Sequence, residues 1–500
     1  MKVCEKIYTD IIVLGAGVAG LTAAYYADLK KIAILYDGAG SSPYIHGFCL
    51  PVRENDSEEL FLQDTVKSGN LQDDYLAKKL VSGSKEIPEF LTKLGIELDR
   101  TSTGELSTLR PLGSSVGRVV SSTNHTGAIL RKKLKEKLLE RGNITFYPGT
   151  RAIRLLSGQN GIEGVFAYDR KKEKMILFCA PIVILACGGF CGMFPFSTNS
   201  SDLDGNGIAM AHAAGARLRD LEFIQYEPCV AVEPLPVRGK GMITTLFYEG
   251  ACLRNSNNER FLDNTPEKEC VNKDKLSEEI YREIKNGGGT KEGGVWFDAT
   301  QVNPDWMENI YPEYVKRYQS IGIDLKKEMV QVAPAPHTSL GGVEIDSECK
   351  TSVDGLLACG EVTGGVHGAN RLGGNAGLET MVFGKIAGKT ASKISRENQG
   401  ICESDFILRA LPFEQIQHLR KDLRKELQKS LGVIRNMGEL KESIHKIALI
   451  KQNLMNISHE GTERDTFETL RLENDLIAAD LIMEAAFARK KTCGCHIVGD

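Results

Sequence analysis

Residues 337–388 read HTSLGGVEIDSECKTSVDGLLACGEVTGGVHGANRLGGNAGLETMVFGKIAG. Two imidazoles, His337 and His367, and one guanidinium, Arg371, stand among many glycines. These groups suit an anionic ligand, because an arginine fork grips both oxygens of a carboxylate. The glycines allow sharp turns and let backbone N–H groups approach a ligand closely. Within this stretch, DGLLACGEV (residues 354–362) reads as a strand that ends in Gly360-Glu361.

A second constellation opens the chain. The apolar run at 11–14 reads as a short buried strand. It leads into Gly15-Ala16-Gly17-Val18-Ala19-Gly20 and then into an Ala- and Leu-rich helix. This is GxGxxG in its strand–turn–helix setting. Gly15 allows the turn, Gly17 admits a pyrophosphate, and Gly20 lets helix and strand pack closely. The second strand, KIAILYD, places the ribose carboxylate position at Tyr36 or Asp37. IVILACGGF (residues 182–190) is another buried strand ending in a glycine pair. The late Gly360-Glu361 strand suits FAD, since a carboxylate there can bind a ribityl hydroxyl. The nucleotide fold is therefore split along the chain.

The remaining composition sets bounds. A chain of 500 residues can hold two or three domains, and 42% hydrophobic with 26% charged residues reads as globular. Net charge is -4, which offers no basic field to nucleic acid. The 13 cysteines form no CxxC…CxxC set, so no zinc or iron–sulfur site is expected. They read as reduced and buried, with CGCH at 493–496 as the one cluster that could be redox-active or bind a metal. The N-terminal apolar run is broken by glycines and reads as strand, turn and helix rather than as a signal peptide. No run reaches the ~18 apolar residues of a spanning helix. A cytoplasmic protein with no direct membrane insertion is expected.

At this point the sequence resembles the succinate dehydrogenase, fumarate reductase and L-aspartate oxidase flavoprotein family. The likeness is carried by SSPYIHGFCLPV (41–52), RPLGSSVGRVVSSTNHTG (110–127) and TNSSDLDGNGIAMAHAAGARLRDLEFIQYEP (198–228). NSNNERF (255–261), HTSLGG, HGANRLGGNA and the final helices through CGCH complete it. The resemblance implies an α/β fold with a split, Rossmann-like FAD-binding domain over 1–225 and 336–398. It implies an α+β capping domain over 226–335 and a helical domain over 399–500. The Leu/Lys/Glu-rich segment 405–490 has the apolar spacing of amphipathic helices, and KNGGGTKEGG (285–294) reads as an exposed loop.

The resemblance also assigns residues. Gly15, Gly17, Gly20, Tyr36, Asp37, Ser41, Ser42, Gly47, Ala152, Ala186, Gly188 and Asn206 fall at the cofactor. Glu361 falls at the ribityl chain, His367 at the flavin scaffold, and Asn375, Ala376 and Leu378 at the flavin ring. Ser41 stands where some members carry the flavin-linked His, and His46 lies out of register, so FAD is expected to be noncovalent. Arg260 falls on the catalytic arginine. His337 and Arg371 fall on carboxylate-binding positions.

Part of the pocket departs from the family. Its second carboxylate-binding His reads Glu227, a Thr-Glu pair reads Ile243-Thr244, and the relay arginine reads Phe247, although Glu249 of that motif is kept. The Glu with which aspartate oxidases meet an amine reads Pro111. Glu227 and Thr244 are thus expected to contact the substrate. The expected reaction moves a hydride between flavin N5 and a carbon beside a carboxylate, reducing an unsaturated carboxylate other than fumarate. The substrate would carry one carboxylate and an apolar, hydroxylated or cationic far end. An amino-acid oxidase of the L-aspartate type and a flavoprotein subunit of a larger electron-transfer complex are the alternatives. The electron partner is not legible.

Overall fold

The computed structural model describes residues 5–28, 30–396, 410–455 and 461–499. The apolar runs read from the sequence become neighbours in one parallel sheet. Its order is Leu356–Ala358, Ile182–Leu185, Ile11–Leu14, Ile32–Tyr36, Ile144–Pro148. Ile11 pairs with Ile182 on one side and Ile32 on the other. The inner strands are buried on both faces, which is why they show no polar alternation.

Helix Val18–Tyr26 crosses helix Asn375–Lys393 beneath this sheet. A Cβ on Gly384 would lie 2.7 Å from the Ala19 carbonyl oxygen, and one on Gly388 2.2 Å from that of Ala23. Two glycines of the 337–388 stretch therefore serve helix packing and have no role at a ligand. They form the groove into which the first helix fits.

A second sheet joins Glu5–Tyr8, Lys174–Cys179, Gly161–Asp169 and Thr150–Gly158. A third, antiparallel sheet runs Ile224–Glu233, Val330–Ser339, Val295–Asp298, Cys252–Arg254. Helices Lys273–Glu283, Pro304–Ile310 and Pro312–Gln319 share its core through Leu276, Met307 and Tyr318. Residues 285–287 and 291–293 are exposed, as the glycine-rich run predicts.

Helices Phe413–Ser430, Met437–Met455 and Glu463–Ala488 follow. Ile416, Leu423 and Leu427 of the first form the buried stripe of an amphipathic helix. Thr462 and Asp465 start the last helix with a reciprocal capping box. The architecture is α/β, with a split nucleotide-binding sheet, an α+β cap and C-terminal helices. Among the described residues, no helix is long and apolar enough to cross a membrane.

Candidate active site

A cavity of about 500 Å³ runs along the C-terminal edge of the parallel sheet, where α/β folds bind ligands. Leu14, Leu35, Ala186 and Gly360, at or just past the strand ends, form its wall. Three helices begin at it. Gly17 precedes Val18–Tyr26, Gly205 precedes Asn206–Ala213, and Gly374 precedes Asn375–Lys393. None of these residues caps its helix with a side chain, so first-turn N–H groups and the positive helix ends face the cavity. Such ends favour pyrophosphate and other anionic parts of a cofactor.

The first turn is shaped for close approach. Gly15 has φ +117°, and a Cβ there would lie 2.2 Å from the Ala186 carbonyl oxygen. Ser42 Oγ accepts the Val18 N–H at 2.9 Å and leaves Gly17 with bare backbone at the cavity. This long cradle, with three helices opening on glycines and room only for glycine at its first turn, fits FAD.

Tyr36, Asp37, Ser41, Ser42, Gly47, Ala152, Ala186, Gly188, Asn206, Glu361 and Ala376 all line the cavity. Several are already held in place. Arg170 Nε donates to Asp37 at 2.7 Å, and Lys135 Nζ donates to the Tyr36 hydroxyl at 3.2 Å. The Asn206 amide donates to the Ala152 carbonyl and accepts from Asn474, so its side chain braces the wall. Gly20, Asn375 and Leu378 are not among the lining residues. Gly20 packs the helix on Gly15, as expected. The Asn375 amide donates to Thr65 Oγ1 at 3.1 Å, and Leu378 is fully buried in the core. The side chains of these two thus pack behind the wall, while the expectation at the flavin ring concerns their backbone groups. His367 stands behind it too, bonded to Glu379 at 2.9 Å, and Glu379 lines the cavity.

Glu361 accepts the Ser339 N–H at 3.1 Å and the Ser41 hydroxyl at 3.4 Å. Burial, with Glu379 nearby, pushes its pKa up to about 7 from 4.5, against the Ser339 hydrogen bonds and Arg371. A carboxyl group raised on folding holds its proton more tightly in the folded state. FAD-free protein should therefore lose stability as pH rises from about 4.5 to about 7, and lose no more above that. Thermal melts across this range should show the slope in the wild type and its absence in Glu361→Gln.

The far end of the cavity gathers charge. Arg371 is buried, lines the wall and has no carboxylate partner among the described residues. Its guanidinium makes long contacts to Leu372 O (3.3 Å) and Thr338 Oγ1 (3.5 Å), and its Nε has no partner. Desolvation lowers its pKa, and Glu227, Glu361 and Glu379 oppose that shift. A buried unpaired cation is costly, so this geometry calls for an anionic ligand. His337 Nδ1 bonds Thr198 Oγ1 at 2.8 Å, and its Nε2 lies 3.8 Å from Glu227. Burial, then Lys273 and Arg371, hold its pKa well below the imidazole range, so it is neutral near pH 7. Glu227 is paired with the Lys273 ammonium. Thr244 and Ile243 line the same end, while Phe247 sits against Phe297 in the core. Glu249 is exposed and is not among the lining residues.

Arg260 is placed elsewhere. It is not among the lining residues, and it grips Glu269 through Nε (3.1 Å) and a terminal nitrogen (2.7 Å). Glu269 is 1% exposed and also accepts the Leu253 N–H, so Arg260 is the cation paired with a buried carboxylate. Arg260, expected as the catalytic cation, pairs here with Glu269 and braces the capping sheet. Lys273 stands in the cavity instead. One signal could have found it. Lys273 is the first residue of its helix, the end where a positive charge meets the positive helix dipole. A local conflict of that kind marks a residue kept for something other than helix stability.

Among the described residues, CGCH included, no three His, Cys, Asp or Glu side chains come together as candidate metal ligands. His496 is held by the Arg435 guanidinium and the Arg489 carbonyl, and burial with Arg435 pushes its pKa down to about 3. Burial raises the thiol pKa of both Cys493 and Cys495, which leaves them poor nucleophiles.

Comparison with known proteins agrees with this construction. Residues 10–376 match the FAD binding domain family, and residues 420–500 match the fumarate reductase flavoprotein C-terminal family. An uncharacterized FAD-dependent oxidoreductase of Methanocaldococcus jannaschii is 32% identical over 510 residues, covering 98% of this chain and 93% of its own. A component chain of the fumarate reductase (CoM/CoB) of Methanothermobacter marburgensis is 30% identical, covering 97% and 93%. Among solved structures, an E. coli quinol fumarate reductase superposes with a TM-score of 0.90 at 25% identity, covering 99% of this chain and 92% of that one.

Proposed function

Because the chain belongs to the FAD-dependent fumarate reductase and succinate dehydrogenase flavoprotein family, we propose that it moves a hydride between FAD and a carbon beside a carboxylate, reducing an unsaturated acid other than fumarate. The observation that carries this reading is the buried, unpaired Arg371 at the end of a cavity whose other end fits the cofactor. FAD, held without a covalent link, supplies the hydride. Arg371 takes the substrate carboxylate in a bidentate grip, with His337 and Thr338 beside it. Neutral His337 adds hydrogen bonding without a second desolvated charge. Lys273 delivers the proton to the neighbouring carbon, because it is the one ammonium within ion-pair reach of Glu227 beside His337 among the described residues.

Glu227 is not free to receive a substrate ammonium. Its charge is already met by Lys273. That weighs against the amino-acid oxidase alternative, which needs a free amine-binding group. Ile243, Thr244 and Pro111 leave this end less polar than a second carboxylate site requires.

The test is anaerobic. With the bound flavin chemically reduced, several 2-enoic acids are mixed with the enzyme and flavin reoxidation is followed by absorbance. Another unsaturated acid should reoxidise it faster than fumarate does. If fumarate proves fastest, the substrate reading fails. If no unsaturated acid reoxidises it, the reductase reading fails.

A further inference from the structure

Arg371 and Lys273 line one cavity but belong to different parts of the fold. Arg371 follows the last strand of the nucleotide-binding sheet, and Lys273 opens helix Lys273–Glu283 of the cap. A chain of buried amides fixes one against the other. Asn370, the residue before Arg371, is 2% exposed and donates from Nδ2 to Asp274 Oδ1 at 2.9 Å. Asp274 is the residue after Lys273. Asn370 Oδ1 accepts from Gln225 Nε2 at 2.8 Å, and the same nitrogen donates to the Arg371 carbonyl at 2.8 Å. Gln225 is fully buried and lies two residues before Glu227, whose carboxylate pairs with Lys273. These contacts close a ring through the segments 225–227, 273–274 and 370–371. Behind it, the Cys495 N–H donates to the Ala369 carbonyl at 2.8 Å and the Cys495 thiol donates to Asn370 Oδ1 at 3.4 Å.

The direction of this chain has one solution. The Arg371 carbonyl can only accept, so Gln225 turns its nitrogen toward it. That nitrogen also meets Asn370, which must present its oxygen there and its own nitrogen to Asp274. Reversing either amide would set like atoms against each other. Gln225, Asp274 and Asn370 are not among the cavity-lining residues, whereas Lys273 and Arg371 are. The ring therefore holds the backbones from which the two cations extend and leaves their heads to the cavity. We propose that Asn370 is a positioning residue, which sets the spacing between the Arg371 carboxylate clamp and the Lys273 proton donor. This rests on the roles given to those two residues above. Asp274 belongs to the cap and Asn370 to the nucleotide-binding part, so their bond registers the cap against the clamp. Its loss lets Lys273 drift from the reacting carbon while Arg371 keeps its grip. A misplacement of about 1 Å is enough to slow a reaction by about 10²-fold.

The experiment uses the FAD-loaded protein without oxygen. Reoxidation of the reduced flavin by crotonate, 2-pentenoate and fumarate gives turnover, and the flavin absorbance change with butyrate gives a dissociation constant. With the fastest of these acids, Asp274→Ala should turn over about 10–10²-fold more slowly, with its butyrate constant within about 3-fold of the wild type. Asp274→Asn should recover to within about 3-fold of the wild type, because its oxygen still accepts from Asn370. Both variants lose the same charge from the first helical turn, so their difference isolates the bond. In a Lys273→Gln background, Asp274→Ala should cause no further loss, since spacing to an absent donor has no effect. Asn370→Ala should match Asp274→Ala, and the two combined should be no slower than either. The Asp274 series decides the question even where Asn370→Ala fails to fold. Asp274→Ala at wild-type speed, Asp274→Asn as slow as Asp274→Ala, or a further loss in the Lys273→Gln background overturns the positioning role alone. A wild type that no acid reoxidises or that does not bind butyrate, or a Lys273→Gln enzyme near wild-type speed, overturns the reading beneath it.

Discussion

Lys273→Gln should retain its FAD and its carboxylate affinity while turnover falls by about 10²–10⁴-fold, the usual loss for a missing general acid. Glutamine can still donate a hydrogen bond to Glu227, so the buried carboxylate keeps a partner and the fold is spared. What disappears is the ammonium proton. Flavin content, melting temperature and the spectral response to carboxylates check that the site is otherwise whole. Arg260→Lys provides the contrast: it keeps a cation on Glu269 and should leave turnover within about 3-fold, because Arg260 is not among the cavity residues. A Lys273→Gln enzyme that turns over within about 10-fold of the wild type would return the proton step to some other group.

The second large effect concerns stability. Asp204→Ala should destabilise the protein by about 3–5 kcal/mol, since breaking a buried ion pair strands its partners. Asp204 is 4% exposed and meets Arg151 at 2.5 Å and Arg471 at 3.0 Å. Arg151 would lose its carboxylate, and Arg471 would keep only the longer 3.9 Å contact to Glu468. The network continues through Glu468 and Arg420 to Asp475. Although burial works against it, Asp204 is held below the usual carboxylate range by Arg151 and Arg471. Asp475 is pushed up to about 6 by burial and by Asp204. Because Arg151 and Asp204 also line the cofactor cavity, weaker FAD retention should accompany the lower melting temperature. Release of flavin fluorescence on heating measures both, and an unchanged melting temperature would show that the network is dispensable.

The nucleotide-binding half is legible in the sequence for a physical reason. Strands buried on both faces must be unbroken apolar runs, and a turn against a pyrophosphate admits little but glycine. The ends of the Ile11–Leu14, Ile182–Leu185 and Leu356–Ala358 strands can therefore be read directly. The substrate end is less legible. Arg260 and Lys273 both lie in polar, loop-rich sequence, and only the fold decides which one turns inward. Glu269 takes Arg260 because a buried carboxylate nearby demands a cation, and nothing local announces that carboxylate as buried. Glu227 stands out as unusual, but its partner lies 46 residues away on a helix.

The split sheet also governs how the protein can be made. Leu356–Ala358 pairs with Ile182–Leu185, so an outer strand of the nucleotide-binding sheet is synthesised well after its neighbour. The first helix waits longer still for Gly384 and Gly388. Pairings so distant close large loops and fold slowly, and they leave apolar strand edges unsatisfied in the meantime. A nascent chain that has completed GxGxxG holds the signature of the cofactor site without the site. Loading of FAD belongs to the end of folding, where the cofactor acts as the last staple across segments that met late.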